Sequence, residues 1–324
     1  MSSTTLERPA SREPGRRGRL LGWLVGIAAL AAVVTIATHI SEPRDFARLV
    51  ERAAPGWIAV ALVLQAATYL ALAQVWRAVA RAAKRVLRLG PAVWIALAKL
   101  FVDQALPSVG VSGSLLLASA LARRDLDRPL IIAMVVVELA SYYLAYAISL
   151  AIAIVIAAAQ GHAGAIVMWS AFAFVVFAIA TAVVTITLAR TSRLPPNVPG
   201  LRRAQRWLGG ADRRLVRDRR LLAQATAWQL AIVALDGLTL WMLLRALGAD
   251  VPLAGAFASF MIASLARTIS IVPGGLGVFE AVSVLTLHQI GAPLAAALSA
   301  TLLFRGVSYW LPMIPGFVAS RRLR

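Results

Sequence analysis

The chain has 324 residues, of which 60% are hydrophobic and 15% are charged, and its formal net charge is +19. Several apolar runs are longer than those in soluble cores, so the composition predicts an all-α polytopic membrane protein. The basic residues cluster between the apolar runs, where they orient the chain and meet anionic lipid, so we expect no nucleic-acid partner. The chain has no cysteine, which excludes disulfides and thiolate chemistry.

The first apolar run follows a basic tail. Residues 1–19 are rich in serine, proline and arginine, and we expect them to form a disordered cytoplasmic tail. Residues 20–40 carry no formal charge and are too long for a signal-peptide core, so we expect a retained span. The loop 41–55 balances basic with acidic residues and is therefore assigned to the outer side, and 56–76 return to the cytoplasm.

The next segment, residues 91–122, is apolar but interrupted by Pro107, Gly110 and Gly113. Each piece has about half the length that a membrane crossing requires. Basic residues flank both ends, so we predict a re-entrant helical hairpin that enters from the cytoplasm.

Four further apolar runs bring the prediction to about six spanning helices: residues 129–159, 165–189, 221–247 and 293–319. This topology places in the cytoplasm the arginine-rich loop 190–220 and the basic end 320–324. We therefore expect a protein of the cell membrane with both termini in the cytoplasm. We predict one transmembrane domain over 20–319.

A second interrupted segment lies between the last two spans. Pro273, Gly274, Gly275 and Gly277 break any helix, and the exposed backbone groups cannot face lipid. We predict a second re-entrant hairpin, entering from outside, with a half-helix beginning at Gly277. The halves 56–159 and 221–319 then form an inverted repeat, as in secondary transporters. Shared composition of membrane helices is the alternative explanation.

The motif Pro273-Gly274-Gly275-Leu276-Gly277-Val278-Phe279-Glu280-Ala281, continuing to Arg305 and Tyr309-Trp310-Leu311-Pro312, resembles the lysylphosphatidylglycerol synthase transmembrane-region family. The resemblance covers about residues 56–319 and implies a flippase-like module without the soluble synthase domain. Where many relatives have a Glu-Arg pair followed by an acidic residue, this chain has Glu138-Leu139 and then Tyr142.

Candidate substrate-binding residues surround the second break. The half-helix N-terminus and three glycines favour a phosphate near the backbone, and Arg267 and Arg305 are intramembrane charges that should not face lipid. Glu280 has two open interpretations, pairing with an arginine or capping its helix. Tyr309 either lines a headgroup cavity or packs in the bundle. The predicted set is Arg267, Pro273, Gly274, Gly275, Gly277, Glu280, Arg305 and Tyr309.

Three further acidic residues are candidates for a charge relay or counter-ions. Asp103 is spaced to pair with Lys99 on one helix face, which is its structural alternative. Glu138 and Asp236 lie inside predicted spans, and Glu138 has no neighbouring counter-charge along the chain. The three histidines are scattered, and we expect neither a metal site nor a cofactor.

These features favour a lipid translocase that moves an anionic or zwitterionic headgroup between leaflets through a cavity between the repeats. One alternative is a membrane-embedded enzyme acting on a lipid phosphate, although we see no nucleophile or metal constellation and expect no enzyme activity. Another is a non-transporting partner of a separately encoded lipid-modifying enzyme. Membrane lipids are the expected partners, and the oligomeric state is left open.

Overall fold

The computed structural model describes residues 54–105, 111–159, 165–190, 208–270 and 272–323. The regular structure of these ranges is helical and contains no strand, which confirms the all-α prediction for the described part of the chain. The predicted tail 1–19, the predicted span 20–40 and the turn at Pro107 and Gly110 lie outside these ranges, as does most of the arginine-rich loop.

The first half of the described chain contains five helices. They are α1 (Pro55–Ala82), α2 (Leu89–Ala105), α3 (Val111–Ala122), α4 (Arg128–Ala159) and α5 (Ala165–Arg190). The helices α2 and α3 contact each other on either side of the predicted first break.

The second half begins with α6 (Arg213–Arg217) and α7 (Arg219–Ala246). The second interrupted segment comprises α8 (Leu253–Ile269), a 3-10 turn (Pro273–Gly275) and α9 (Val278–Gln289). It is followed by α10 (Leu294–Arg305), a π-helical segment (Gly306–Trp310) and α11 (Leu311–Arg322). The predicted helix break therefore falls at the proline and glycines of the motif.

Five stretches of the described helices are long and apolar enough to cross a membrane: Pro55–Ala82, Arg128–Ala159, Ala171–Arg190, Arg219–Ala246 and Leu294–Arg322. They correspond to five of the six predicted spans. The first of them continues beyond its predicted end at Trp76. Arg77 lies within this helix, where its Nε donates a hydrogen bond to the Leu87 carbonyl at 3.0 Å and its Nη1 donates to Gln74.

The basic ends of the helices gather at one end of the bundle. Arg85 after α1 forms an ion pair with Asp127 before α4 at 2.8 Å, and the Asp212 amide donates to the Pro129 carbonyl at 3.1 Å. Asp218 caps α7 there by accepting hydrogen bonds from the first backbone amides of that helix. A core that includes Trp76, Leu117, Leu121 and Met134 fills this end.

The opposite end holds the start of α1 and the end of α7, since the Ala54 amide donates to the Ala246 carbonyl at 3.0 Å. These two helices therefore run antiparallel and pack along their length. A second core fills this end and includes Leu240, Met261 and Leu287. The turn Pro273–Gly275 lies in the interior, where it contacts α2 as well as α8, so the two interrupted segments meet inside the bundle.

Candidate functional site

Arg305 and Glu280 form a buried ion pair at the second break. Their exposed fractions are 4% and 1%, and Arg305 Nε donates to Glu280 Oε1 at 2.7 Å. Arg305 Nη2 also donates to the Gly274 carbonyl at 2.9 Å. One guanidinium therefore holds both the turn before α9 and the first turn of α9, which are 31 and 25 residues away along the chain.

Glu280 also caps the helix that it begins. Its Oε2 accepts a hydrogen bond from the Gly277 amide at 2.6 Å, while its other oxygen binds Arg305. Both interpretations of Glu280 from the sequence are thus realised in one carboxylate. The Gly277 amide, which the sequence suggested for a phosphate, is occupied by the protein's own carboxylate.

Aromatic rings enclose the Arg305 guanidinium. Its carbon lies 4.3 Å from the ring centre of Tyr309 and 5.3 Å from that of Phe279, at cation–π distance. Tyr309 also packs on the turn, because a Cβ added at Gly274 would lie 2.6 Å from its Cε2. The interrupted segment is therefore held against α10 and α11 by the contacts of Arg305, Glu280 and Tyr309.

Arg267 lies on the other side of the same turn. Gly275 has a φ of 61°, and a Cβ there would lie 2.2 Å from Arg267 Cγ, so the glycine leaves room for the arginine stem. The Nε of Arg267 is buried and has no hydrogen-bond partner among the residues that the structure describes. Unlike Arg305, this arginine has unused hydrogen-bonding capacity.

The Arg267 side chain lines a cavity of about 70 Å³ between α4, α7 and α8. A cavity of this size holds several water-sized groups. Its polar lining includes Asp236 and Gln229 of α7, and it lies near the midpoints of α4 and α7. The full lining is Tyr142, Ala145, Tyr146, Gln229, Ile232, Val233, Asp236, Phe260 and Arg267.

Asp236 shares this cavity but does not pair with Arg267. Its Oδ1 accepts a hydrogen bond from Gln65 Nε2 of α1 at 3.2 Å, and it forms no ion pair with any residue in the described ranges. An arginine and a carboxylate therefore face the same cavity without direct contact.

The remaining two acidic candidates form a separate cluster in the first half. Lys99 Nζ lies 2.7 Å from Asp103 Oδ2 and 3.3 Å from Glu138 Oε1, and Trp76 Nε1 donates to Glu138 Oε2 at 2.9 Å. Asp103 Oδ1 also accepts from the Gly113 amide at 3.0 Å. Glu138 lacks a counter-charge along the sequence, but folding supplies Lys99. Its charged partner is thus a lysine and not either of the two arginines.

The structure sorts the predicted residues into three groups. Gly274, Gly277, Glu280, Arg305 and Tyr309 come together around the turn, where the Pro273 backbone also lies. Arg267 and Asp236 face the cavity, with Gly275 beside the arginine. Asp103 and Glu138 meet at Lys99.

Four polar residues at or near the cavity are absent from the predicted set of site residues: Gln65, Tyr142, Tyr146 and Gln229. A signal existed for Gln229, because it lies seven residues before Asp236 and so shares its helix face. Gln65 is a polar side chain inside an apolar span, a pattern that often marks function or helix contacts in membranes. In the described part of the chain, no group of three or more His, Cys, Asp or Glu side chains is placed to hold a metal.

Together, the spans, the interrupted helices and the buried charges define a multi-pass helical membrane protein with an interior cavity that contains an arginine and an aspartate. The chain belongs to the lysylphosphatidylglycerol synthase TM region family, whose sequence profile matches residues 23–316. This confirms the resemblance suggested by the glycine motif.

Two relatives match over shorter stretches. The chain is 37% identical over 84 residues to the UPF0104 membrane protein MJ1595 of Methanocaldococcus jannaschii, covering 26% of this chain and 25% of that protein. It is 39% identical over 61 residues to a phosphatidylglycerol lysyltransferase of Staphylococcus haemolyticus, covering 19% of this chain and 7% of that protein. The matches thus span a quarter of the first relative and less than a tenth of the second.

Proposed function

We propose that the chain is a lipid translocase of the cell membrane, which moves an anionic or zwitterionic phospholipid headgroup between leaflets. The observation that carries this proposal is the cavity with the incompletely bonded Arg267 near the middle of the bundle. A charge at this depth costs at least about 2.5 kcal/mol unless it is paired or wet, so its position calls for a polar ligand. The relationship to lipid-modifying membrane proteins supports a lipid as that ligand.

The two intramembrane arginines have different roles in this proposal. Arg305 holds the turn through Glu280 and Gly274, so its donors are engaged by the protein. The Nε of Arg267 has no hydrogen-bond partner among the described residues, and its planar guanidinium can bind two phosphate oxygens at once. We assign headgroup binding to Arg267 and positioning of the turn to Arg305.

The membrane topology is part of the proposal. With the basic end of the bundle in the cytoplasm, both termini are cytoplasmic, and the two interrupted segments enter as re-entrant hairpins from opposite sides. The cavity then lies between the first half, which supplies α4, and the second, which supplies α7 and α8. This is the location of the substrate site in transporters built from inverted repeats.

Purified protein in liposomes tests the proposal. Fluorescent phosphatidylglycerol, phosphatidylethanolamine and phosphatidylcholine are scored for exchange between leaflets and, in parallel, for release of the headgroup. We expect exchange of at least one lipid without headgroup release. Headgroup release would instead indicate an enzyme, and no exchange of any lipid would refute the translocase.

Variants locate the site. Arg267→Gln is expected to slow exchange about tenfold or more, because a charge-assisted hydrogen bond contributes about 1.5–3 kcal/mol. Arg124→Gln is the matched control, since Arg124 is exposed at the basic end of the bundle. Equal exchange rates in the two variants would remove Arg267 from the binding site.

A further inference from the structure

The charges around Asp236 are unusually simple. Asp236 and Arg267 line the same cavity, and no ion pair joins them. Within the part of the chain that the structure describes, the Asp236 carboxylate accepts a hydrogen bond from the Gln65 side chain. The positive charge that balances Asp236 is therefore Arg267, which lies across the cavity and is not in direct contact with the carboxylate.

Among the described residues, the other groups that face Asp236 add no second cation. The titratable side chains presented to it by α1, α4 and α8 are three tyrosines and one arginine: Tyr69, Tyr142, Tyr146 and Arg267. The tyrosines are neutral near pH 7. Helix α10 also packs on α7, and its Arg305 is bound by Glu280. Within the described structure, Arg267 is thus the cation that balances the charge of Asp236.

A lipid phosphate would compete for that counter-charge. Once phosphate binds Arg267, one positive charge faces two negative charges in a low-dielectric space, and the ionised carboxylate becomes unfavourable. We infer that Asp236 is a proton-binding residue, and that the cavity takes up one proton with each lipid of single negative charge. This inference rests on the proposed translocase function and adds a coupling ion to it.

The proton balance is simple. The Asp236 carboxylate gains a proton from water on the side to which the cavity is open and returns it on the other side when the phosphate leaves Arg267. Because binding linkage is reciprocal, acid pH on the loading side also strengthens lipid binding. The complex carries no charge beyond that of the empty cavity, since the added proton cancels the added phosphate.

The pH difference across the membrane is therefore expected to drive net transport of such a lipid, and the membrane potential is expected to have no effect on it. Lipid moves out of the leaflet on the acid side, together with protons. At full coupling a difference of one pH unit sustains a leaflet ratio of about tenfold, because one unit equals a factor of ten in an equilibrium constant.

The first test is a binding measurement on the purified full-length protein. Dihexanoyl phosphatidylglycerol is titrated calorimetrically at one pH in two buffers of different protonation enthalpy. The wild-type protein is expected to take up about one proton per bound lipid, as the charge balance requires. Asp236→Asn is expected to take up none.

The second test uses phosphatidylcholine vesicles with a trace of fluorescent phosphatidylglycerol. Exchange is measured with a pH difference alone and with a potassium potential alone. In the wild type the pH difference shifts the leaflet ratio and the potential does not. In Asp236→Asn the pH difference no longer shifts the ratio, Asp236→Glu restores the shift, and Arg124→Gln behaves as wild type.

The outcomes separate this inference from the function on which it rests. Wild-type protein that exchanges lipid without proton uptake, or with no response to the pH difference, overturns proton coupling and leaves translocation standing. Wild-type protein that neither binds nor exchanges lipid overturns both. Should Asp236→Asn fail to fold, the wild-type titration and Asp236→Glu still decide the question.

Discussion

Replacing Arg305 with glutamine should destabilise the protein by about 3–5 kcal/mol, because it leaves the buried Glu280 carboxylate without its counter-charge. Both partners are almost inaccessible, with exposed fractions of 4% and 1%, so water cannot replace the lost bond. The Gly274 carbonyl also loses its donor at 2.9 Å. Glutamine is shorter and neutral and cannot reach both acceptors. The expected cost is several times that of losing an average neutral hydrogen bond, which is about 1 kcal/mol.

Unfolding of purified protein in mixed detergent micelles, followed by tryptophan fluorescence during titration with dodecyl sulfate, measures this loss. Arg245→Gln is the matched control, because it breaks an ion pair whose partner, Asp250, is 93% exposed, and such pairs contribute little. In the Arg305→Gln background, Glu280→Gln should recover part of the loss. If Arg305→Gln is no more harmful than Arg245→Gln, the ion pair does not hold the turn and the assigned role of Arg305 is wrong.

Three further predictions concern the turn and the topology. Gly275→Ala should reduce stability and lipid exchange more than Gly248→Ala, as measured by thermal unfolding and by the exchange assay. Both glycines have a positive φ, where a side chain costs about 1–2 kcal/mol, but only at Gly275 does the new Cβ also meet Arg267. Reporter fusions should place both termini in the cytoplasm, and periplasmic activity at the C-terminus would contradict the proposed topology. Cysteines introduced at Ser108 and Ser270 should react with impermeant thiol reagents from the inside and the outside respectively, and labelling of both from one side would refute the inverted repeat.

The positions of the long helices could be predicted because apolar length and basic flanks act locally. The end of α1 could not. The span was predicted to end at Trp76, but the helix continues to Ala82, and within it Arg77 donates a hydrogen bond to the Leu87 carbonyl. A long basic side chain can bind at the edge of an apolar region while its backbone stays helical. Such a partner beyond the helix is not visible in a hydropathy pattern.

The same limit applies to the charged residues. The Lys99–Asp103 pair could be anticipated, because residues four apart share a helix face. The contact between Lys99 and Glu138 joins different helices, so spacing alone could not reveal it. For Glu280, the capping role follows from its place in the first turn of α9, whereas its pairing with Arg305 depends on how α9 packs on α10.

The cavity was the least predictable feature. Arg267 and Asp236 were both recognised as intramembrane charges, and Asp236 was a candidate counter-ion, but helical spacing could not show which of the charges face one cavity. That arrangement depends on the packing of α8 against α7, whose apolar side chains belong to one core. Gln229 shows what a sequence can offer, since its helical phase agrees with that of Asp236 without identifying the helix opposite.

The distribution of buried ion pairs suggests where the proposed translocase moves. Each interrupted segment is tied to the long helix that follows it, through Lys99 and Glu138 in the first half and Glu280 and Arg305 in the second. Breaking such a pair costs about 3–5 kcal/mol, so separating an interrupted segment from its long helix is unfavourable. The cavity groups Arg267 and Asp236 are not joined to each other, and Gln65 contributes a single hydrogen bond. Motion that opens the cavity should therefore separate α4 from α7 and α8 while each interrupted segment stays with its own helix.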